Sequence, residues 1–181
     1  MGSIGSSGGL VELCCDFSQG ATGTDKAMSR GNNEVLPRNI RIAAAIIGDH
    51  EGRVLLVRKH GTRFFMQPGG KLFPGETAEQ ALSRELQEEL GCTILRTEFL
   101  GTFFAPAANE PLHSVEALLF RASISGEIQP SAEIEEAVWI EPSRTGDLPL
   151  APLTRDHVLP LVRSGDCPHM AQRQDSLGVT N

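Results

Sequence analysis

From Ile40 to Ile47 the chain reads IRIAAAII, a nearly continuous apolar run of strand length. That is the pattern of a strand buried on both faces. Asp49-His50-Glu51-Gly52 supplies turn residues and Arg53–Arg58 (RVLLVR) reads as a returning strand, so the two runs predict a hairpin. After a loop at Lys59-His60-Gly61-Thr62, a short apolar segment, Phe64-Phe65-Met66, leads into Pro68-Gly69-Gly70. From Thr77 the period changes. Leu82, Leu86 and Leu90 recur every four residues with Ala78 and Ala81 beside them, the stripe of an amphipathic helix. Thr77 and Gln80 make a capping-box pattern at its start, and Gly91 a stop at its end.

Beyond the helix, Ile94–Phe104 predicts one or two short strands, and Ala105 to His113 a Pro/Ala/Asn-rich loop. Val115–Ala122 reads as a strand, Ser125-Gly126 as a turn, and Ala137–Ile140 as a short, central-looking strand. Leu153–Val162 predicts a second helix that Pro160 should kink or shorten. Neither a repeat nor a composition break falls inside 38–163, so that stretch predicts one mixed α/β domain. Residues 1–37 are rich in Gly, Ser, Thr and Asn and predict a flexible or disordered segment. Gly2 and Ser6 fit the loose myristoylation pattern, which says too little to predict acylation. Residues 164–181 read as a polar tail.

Composition narrows the function. The chain is 40% apolar and 22% charged, which suits a soluble globular protein. A net charge of −7 argues against a nucleic acid polymer as partner, since no large basic surface can release counterions. No run approaches the length of a membrane span. Cys14, Cys15, Cys92 and Cys167 form neither a CxxC pair nor a disulfide framework, which favours reduced thiols and a cytoplasmic location.

The charge that matters is clustered. Glu85, Glu88 and Glu89 stand at i, i+3 and i+4, so the helix brings three carboxylates to one face beside the leucine stripe. Their repulsion, roughly a few tenths of a kcal/mol per pair, calls for an offset, and a divalent cation is the natural one. An acidic helix alone is more often a solvated face. Here it comes with Gly70, five residues, Glu76, seven residues, then Arg84-Glu85-Leu86-Gln87-Glu88-Glu89-Leu90-Gly91-Cys92. This spacing resembles the Nudix box, G-x5-E-x7-R-E-U-x-E-E-x-G-U with U a bulky aliphatic residue. Cys92 at the last position is the one departure, and cysteine there acts as a small hydrophobe.

The resemblance implies a Nudix hydrolase: an α/β/α sandwich whose mixed sheet is covered by the box helix and a C-terminal helix. The implied reaction is hydrolysis of a nucleoside diphosphate linked to another group, assisted by Mg²⁺ or Mn²⁺. It implies Glu85, Glu88 and Glu89 as metal ligands, joined by a carbonyl near Gly69, with Arg84 and Glu76 as an orienting pair beside them. The implied partner is a small nucleotide substrate, and a homodimer is compatible with the family, although no sequence feature demands one. The rival reading is a non-catalytic Nudix domain that senses a nucleotide. Outside the box, Arg58 and Lys71, with Lys59 and Arg63 near them, are candidates for substrate phosphates. Phe104, with Phe64, Phe65 and Phe103, is a candidate to stack a base. Glu133, Glu135 and Glu136 are candidates for a general base, none preferred. The chain contains no tyrosine, so it lacks the downstream Tyr of dinucleoside polyphosphate hydrolases. Pro106, fourteen residues past Cys92, is a near match to the proline of ADP-sugar pyrophosphatases.

Overall fold

Strand β1 (Asn39–Ile46) sets the architecture. The computed structural model describes residues 39–131 and 133–165, so the readings of residues 1–37 and of the tail past Gly165 fall outside it. β1 pairs antiparallel with the three-residue β3 (Gly69–Lys71) and parallel with β5 (Ser114–Ser125). β4 (Thr93–Pro106) completes a mixed sheet in the order β3-β1-β5-β4. Because strand side chains alternate, Ala43 and Ala45 enter one core and Ala44 and Ile46 the other, all 3% exposed or less. Helix α1 (Ala78–Leu90) packs on the first side through Ala81, Leu82, Leu86 and Leu90. Leu153, Val158 and Leu159 from the C-terminal helical segment close the second. The apolar run is therefore a strand between two layers, the α/β sandwich expected.

The hairpin is not formed as expected. β2 (Val54–Lys59) pairs with β6 (Ile134–Ile140) in a separate two-stranded sheet. It meets the end of β1 only through the Gly48–Val54 bridge and the Leu55 amide, which donates to the Ile47 carbonyl at 2.9 Å. The reversal itself is local: the Asp49 carboxylate accepts from the amides of Glu51 and Arg53 and from the Arg53 guanidinium. Partner choice is long-range, and both flanks of β1 are already taken by β3 and β5. For the same reason the segment read as a central strand lies in the two-stranded sheet with β2.

β4 is a single strand of 14 residues that continues through Ala105 and Pro106, where a loop was expected. Register shifts at Ile94/Arg96 and Phe99/Gly101 break its alternation, which is why its sequence reads as shorter pieces. The second helix opens in a π-helical turn, Thr154–Val158, before α2 (Leu159–Arg163). The widened turn stands directly before Pro160, which cannot donate to the ladder. Among the described residues no helix is long and apolar enough to cross a membrane.

Candidate active site

Helix α1 carries the acidic cluster, and its ends are fixed by its own sequence. The Thr77 hydroxyl accepts from the Gln80 amide at 3.2 Å, the Gln80 side chain accepts from the Thr77 amide at 2.9 Å, and Gly91 turns left-handed with φ of 67°. Leu82, Leu86 and Leu90 are fully buried. Each such leucine contributes roughly 1.5–3 kcal/mol, against tenths for the carboxylate repulsion, so packing decides and the acidic face follows. Cys92, 1% exposed, fills the last box position as a hydrophobe, and burial pushes its thiol pKa up.

Two of the three carboxylates converge on the diglycine. Glu89 is buried, and its Oε2 accepts from the Gly69 amide at 3.0 Å. Its Oε1 lies 2.7 Å from the Lys59 ammonium, which pairs with it. Burial pushes the Glu89 carboxyl above its ordinary value against the opposing pull of Lys59 and the Gly69 amide. The Glu85 carboxyl lies directly on Gly70 Cα, where a Cβ would overlap it, and pairs with Arg84 at 2.7 Å. Glu88 stands at the rim, its side chain 62% exposed, 3.3 Å from Arg84.

Arg84 organises the loop before the helix. Its Nε and Nη2 donate to the two Glu76 oxygens at 2.9 and 3.0 Å, Nη2 also reaches the Lys71 carbonyl at 3.1 Å, and the guanidinium covers the Phe73 ring at 4.1 Å. Glu76 in turn accepts from the Phe73 amide at 3.0 Å. Hydrogen bonding to Glu76 raises the Arg84 pKa, and the reciprocal bond lowers that of Glu76. A lysine cannot reproduce this fork. Arg84→Lys should lower metal-stimulated turnover by about 10–100-fold, the usual cost of disturbing a group that orients ligands, with a much smaller change in the metal-free melting temperature. Unchanged kcat would remove Arg84 from that role.

The remaining candidates scatter. Arg58 turns away from the box, pairing with Glu135 at 2.6 Å and Glu136 at 2.9 Å and lying over Phe65. Lys59 reaches Glu89 instead. Leu55 and Val57 face α1 while Val54 and Leu56 face the other core, so period-two alternation sends Lys59 to the carboxylates and Arg58 to the far side. That signal is present in RVLLVRK once β2 is placed. Lys71 pairs with Glu110 at 2.8 Å beside a cleft of about 450 Å³ lined by Asn39, Ile40, Arg41, Leu72 and His113. Phe104 is exposed on β4, opposite Glu116 of β5 and two strands beyond β1, so it does not join the carboxylates. Glu133 meets His60 through its backbone carbonyl at 2.9 Å.

Residues 38–162 match the family model described as the NUDIX domain. The chain belongs to the Nudix family. It is 43% identical over 68 residues to an 8-oxo-dGTP diphosphatase of Haemophilus influenzae, covering 35% of this chain and 50% of that protein. An ADP-ribose pyrophosphatase of Methanocaldococcus jannaschii is 28% identical over 104 residues, 55% of this chain and 62% of its own. A crystal structure of a mutator MutT protein from Bacillus halodurans superposes with a TM-score of 0.54 at 28% identity, over 66% of this chain and 82% of that one. The chain thus spans about half to two thirds of the length of the curated relatives it matches.

Proposed function

We propose that this Nudix chain is a divalent-metal-dependent hydrolase of the pyrophosphate linkage in a nucleoside diphosphate joined to another group, working in a reducing cytoplasm. The observation that carries the reading is the convergence of Glu85 and the buried Glu89 on Gly69-Gly70. Among the described residues no group of three or more acidic, histidine or cysteine side chains stands in a metal-binding arrangement. Arg84 and Lys59 hold the carboxylates in this state. The donor set still fits a hard divalent ion: oxygen ligands only, two of them beside a backbone with no Cβ, and a third, Glu88, one turn from Glu85 and exposed at the rim.

Glu85, Glu88 and Glu89 would hold Mg²⁺ or Mn²⁺, with the Gly69 carbonyl as a further oxygen. When bound, the ion polarises a phosphoryl oxygen and lowers the pKa of water. The chain's own contribution is placement. The Glu76–Arg84 fork fixes the glycine loop against α1, and the buried leucine stripe fixes α1 against the sheet. The cleft beside Lys71 is the place we assign to the nucleoside moiety, its Asn39 and Arg41 donating to Glu116 and its His113 meeting the Pro111 carbonyl before a ligand enters. Its relatives' names direct the first substrate panel to oxidised guanine nucleotides and ADP-ribose, with nucleoside triphosphates and nucleotide-sugars beside them.

The test is that panel with Mg²⁺, Mn²⁺ or EDTA, reading phosphate and pyrophosphate separately. Turnover of at least one nucleotide with metal, abolished by EDTA, is expected. Tight nucleotide binding without turnover would replace the enzyme with a sensor.

A further inference from the structure

We propose that two copies of this chain pair antiparallel through the outer edge of β4, about a two-fold axis at Thr97. β4 is the last strand of the four-stranded sheet, and among the described residues nothing pairs with its outer side. A long open edge with apolar side chains is a template for another strand. Leu95 and Phe99 on this edge are 66% and 53% exposed, two of the large apolar side chains left outside both cores.

The sequence around Thr97 is complementary to itself. An antiparallel pair centred on Thr97 sets Arg96 opposite Glu98 of the second copy. The two-fold axis repeats the pair, giving two opposite-charge pairs inside the regular run Arg96–Phe99. Opposite-charge cross-strand pairs stabilise a sheet, and like charges in the same places destabilise it. The charges are ready for this use. Arg96 makes no ion pair among the described residues, while Arg121 at 2.6 Å already holds one Glu98 oxygen and leaves the other open.

The charges set the register. Bulges at Ile94/Arg96 and at Phe99/Gly101 leave Arg96–Phe99 as a regular run about Thr97, separate from the longer run Gly101–Pro106. Sliding by one residue would break both charge pairs. The result is one continuous eight-stranded sheet. The interface is small, so the dimer is a weak one. β3 and the diglycine lie at the opposite edge of the sheet, which leaves the candidate active site open in each copy.

The test uses the full chain in sedimentation velocity from micromolar to submillimolar concentration, with Thr97→Cys, Thr102→Cys and Arg96→Glu beside it. Residues facing across an antiparallel pair have Cα atoms about 4.5–5.5 Å apart, within the range of a disulfide. Thr97→Cys should therefore give a covalent dimer under mild oxidation, faster than Thr102→Cys or the wild-type chain with its own cysteines. Arg96→Glu faces Glu98 with a like charge twice and should raise the dimer dissociation constant ~10-fold or more, with melting temperature and turnover per copy unchanged. A monomer throughout, including one whose edge is covered by another part of the chain, overturns the proposal. So does cross-linking of Thr97→Cys no faster than Thr102→Cys.

Discussion

Glu89→Gln is expected to lose turnover at least ~1,000-fold, about 4 kcal/mol of barrier, while keeping the fold. The amide preserves the shape of the carboxylate and can still accept from the Gly69 amide. It cannot supply the negative oxygen a hard divalent ion requires. Two measurements separate this from a folding defect. In EDTA the variant should melt close to wild type, because it removes both the Lys59 ion pair and the cost of a buried charge. With millimolar Mg²⁺ or Mn²⁺, wild type should gain melting temperature by mass action, and the variant should not. The pH dependence has a definite sign. Burial raises the folded pKa of Glu89, so its ionised form weakens the metal-free fold above that pKa. The penalty fades as pH falls through the folded value towards the unfolded one, about 4.3. In EDTA, wild type should thus gain on Glu89→Gln as pH falls from neutrality through that window. Equal metal responses in the two proteins would overturn the ligand assignment.

How far the sequence discloses this site follows from the range of each interaction. Helix α1 was legible end to end, because its caps, its stop and its leucine stripe are all local. The contact of Glu85 with the diglycine is long in sequence, and only the family spacing points to it. β1 announced its double burial through IRIAAAII, but its partners could not be read from it. They are β3 and β5, the latter more than seventy residues away, and no local signal distinguishes them from β2. The hairpin expectation failed there, since a good turn specifies a reversal and leaves ladder pairing open. Lys59 shows the same limit. Its charge was visible beside the box, but its approach to Glu89 depends on which face of β2 meets α1. Phe104 sat beside other aromatics in sequence and yet lies on an edge strand far from the carboxylates.

The two box glycines should separate fold from chemistry. Gly69 has φ of 140°, and a Cβ there would collide with the Ala43 carbonyl and come within 2.7 Å of Ala44 Cα. Both obstacles are the backbone of β1, held in ladders on each side, so nothing soft can yield. Gly69→Ala should cost at least ~3 kcal/mol of stability, through backbone strain and loss of the β1–β3 pairing, and turnover falls with it. At Gly70 the nearest obstacle is the Glu85 carboxyl, the far end of a side chain. Gly70→Ala should therefore fold with a melting temperature near that of wild type and lose turnover ~100-fold or more, because Glu85 is pushed off the position where it meets the loop. Chemical denaturation beside kcat for the two variants reads the difference. Two equally destabilised proteins would mean that Gly70 serves packing and that the approach of Glu85 to the diglycine is not what the chemistry needs.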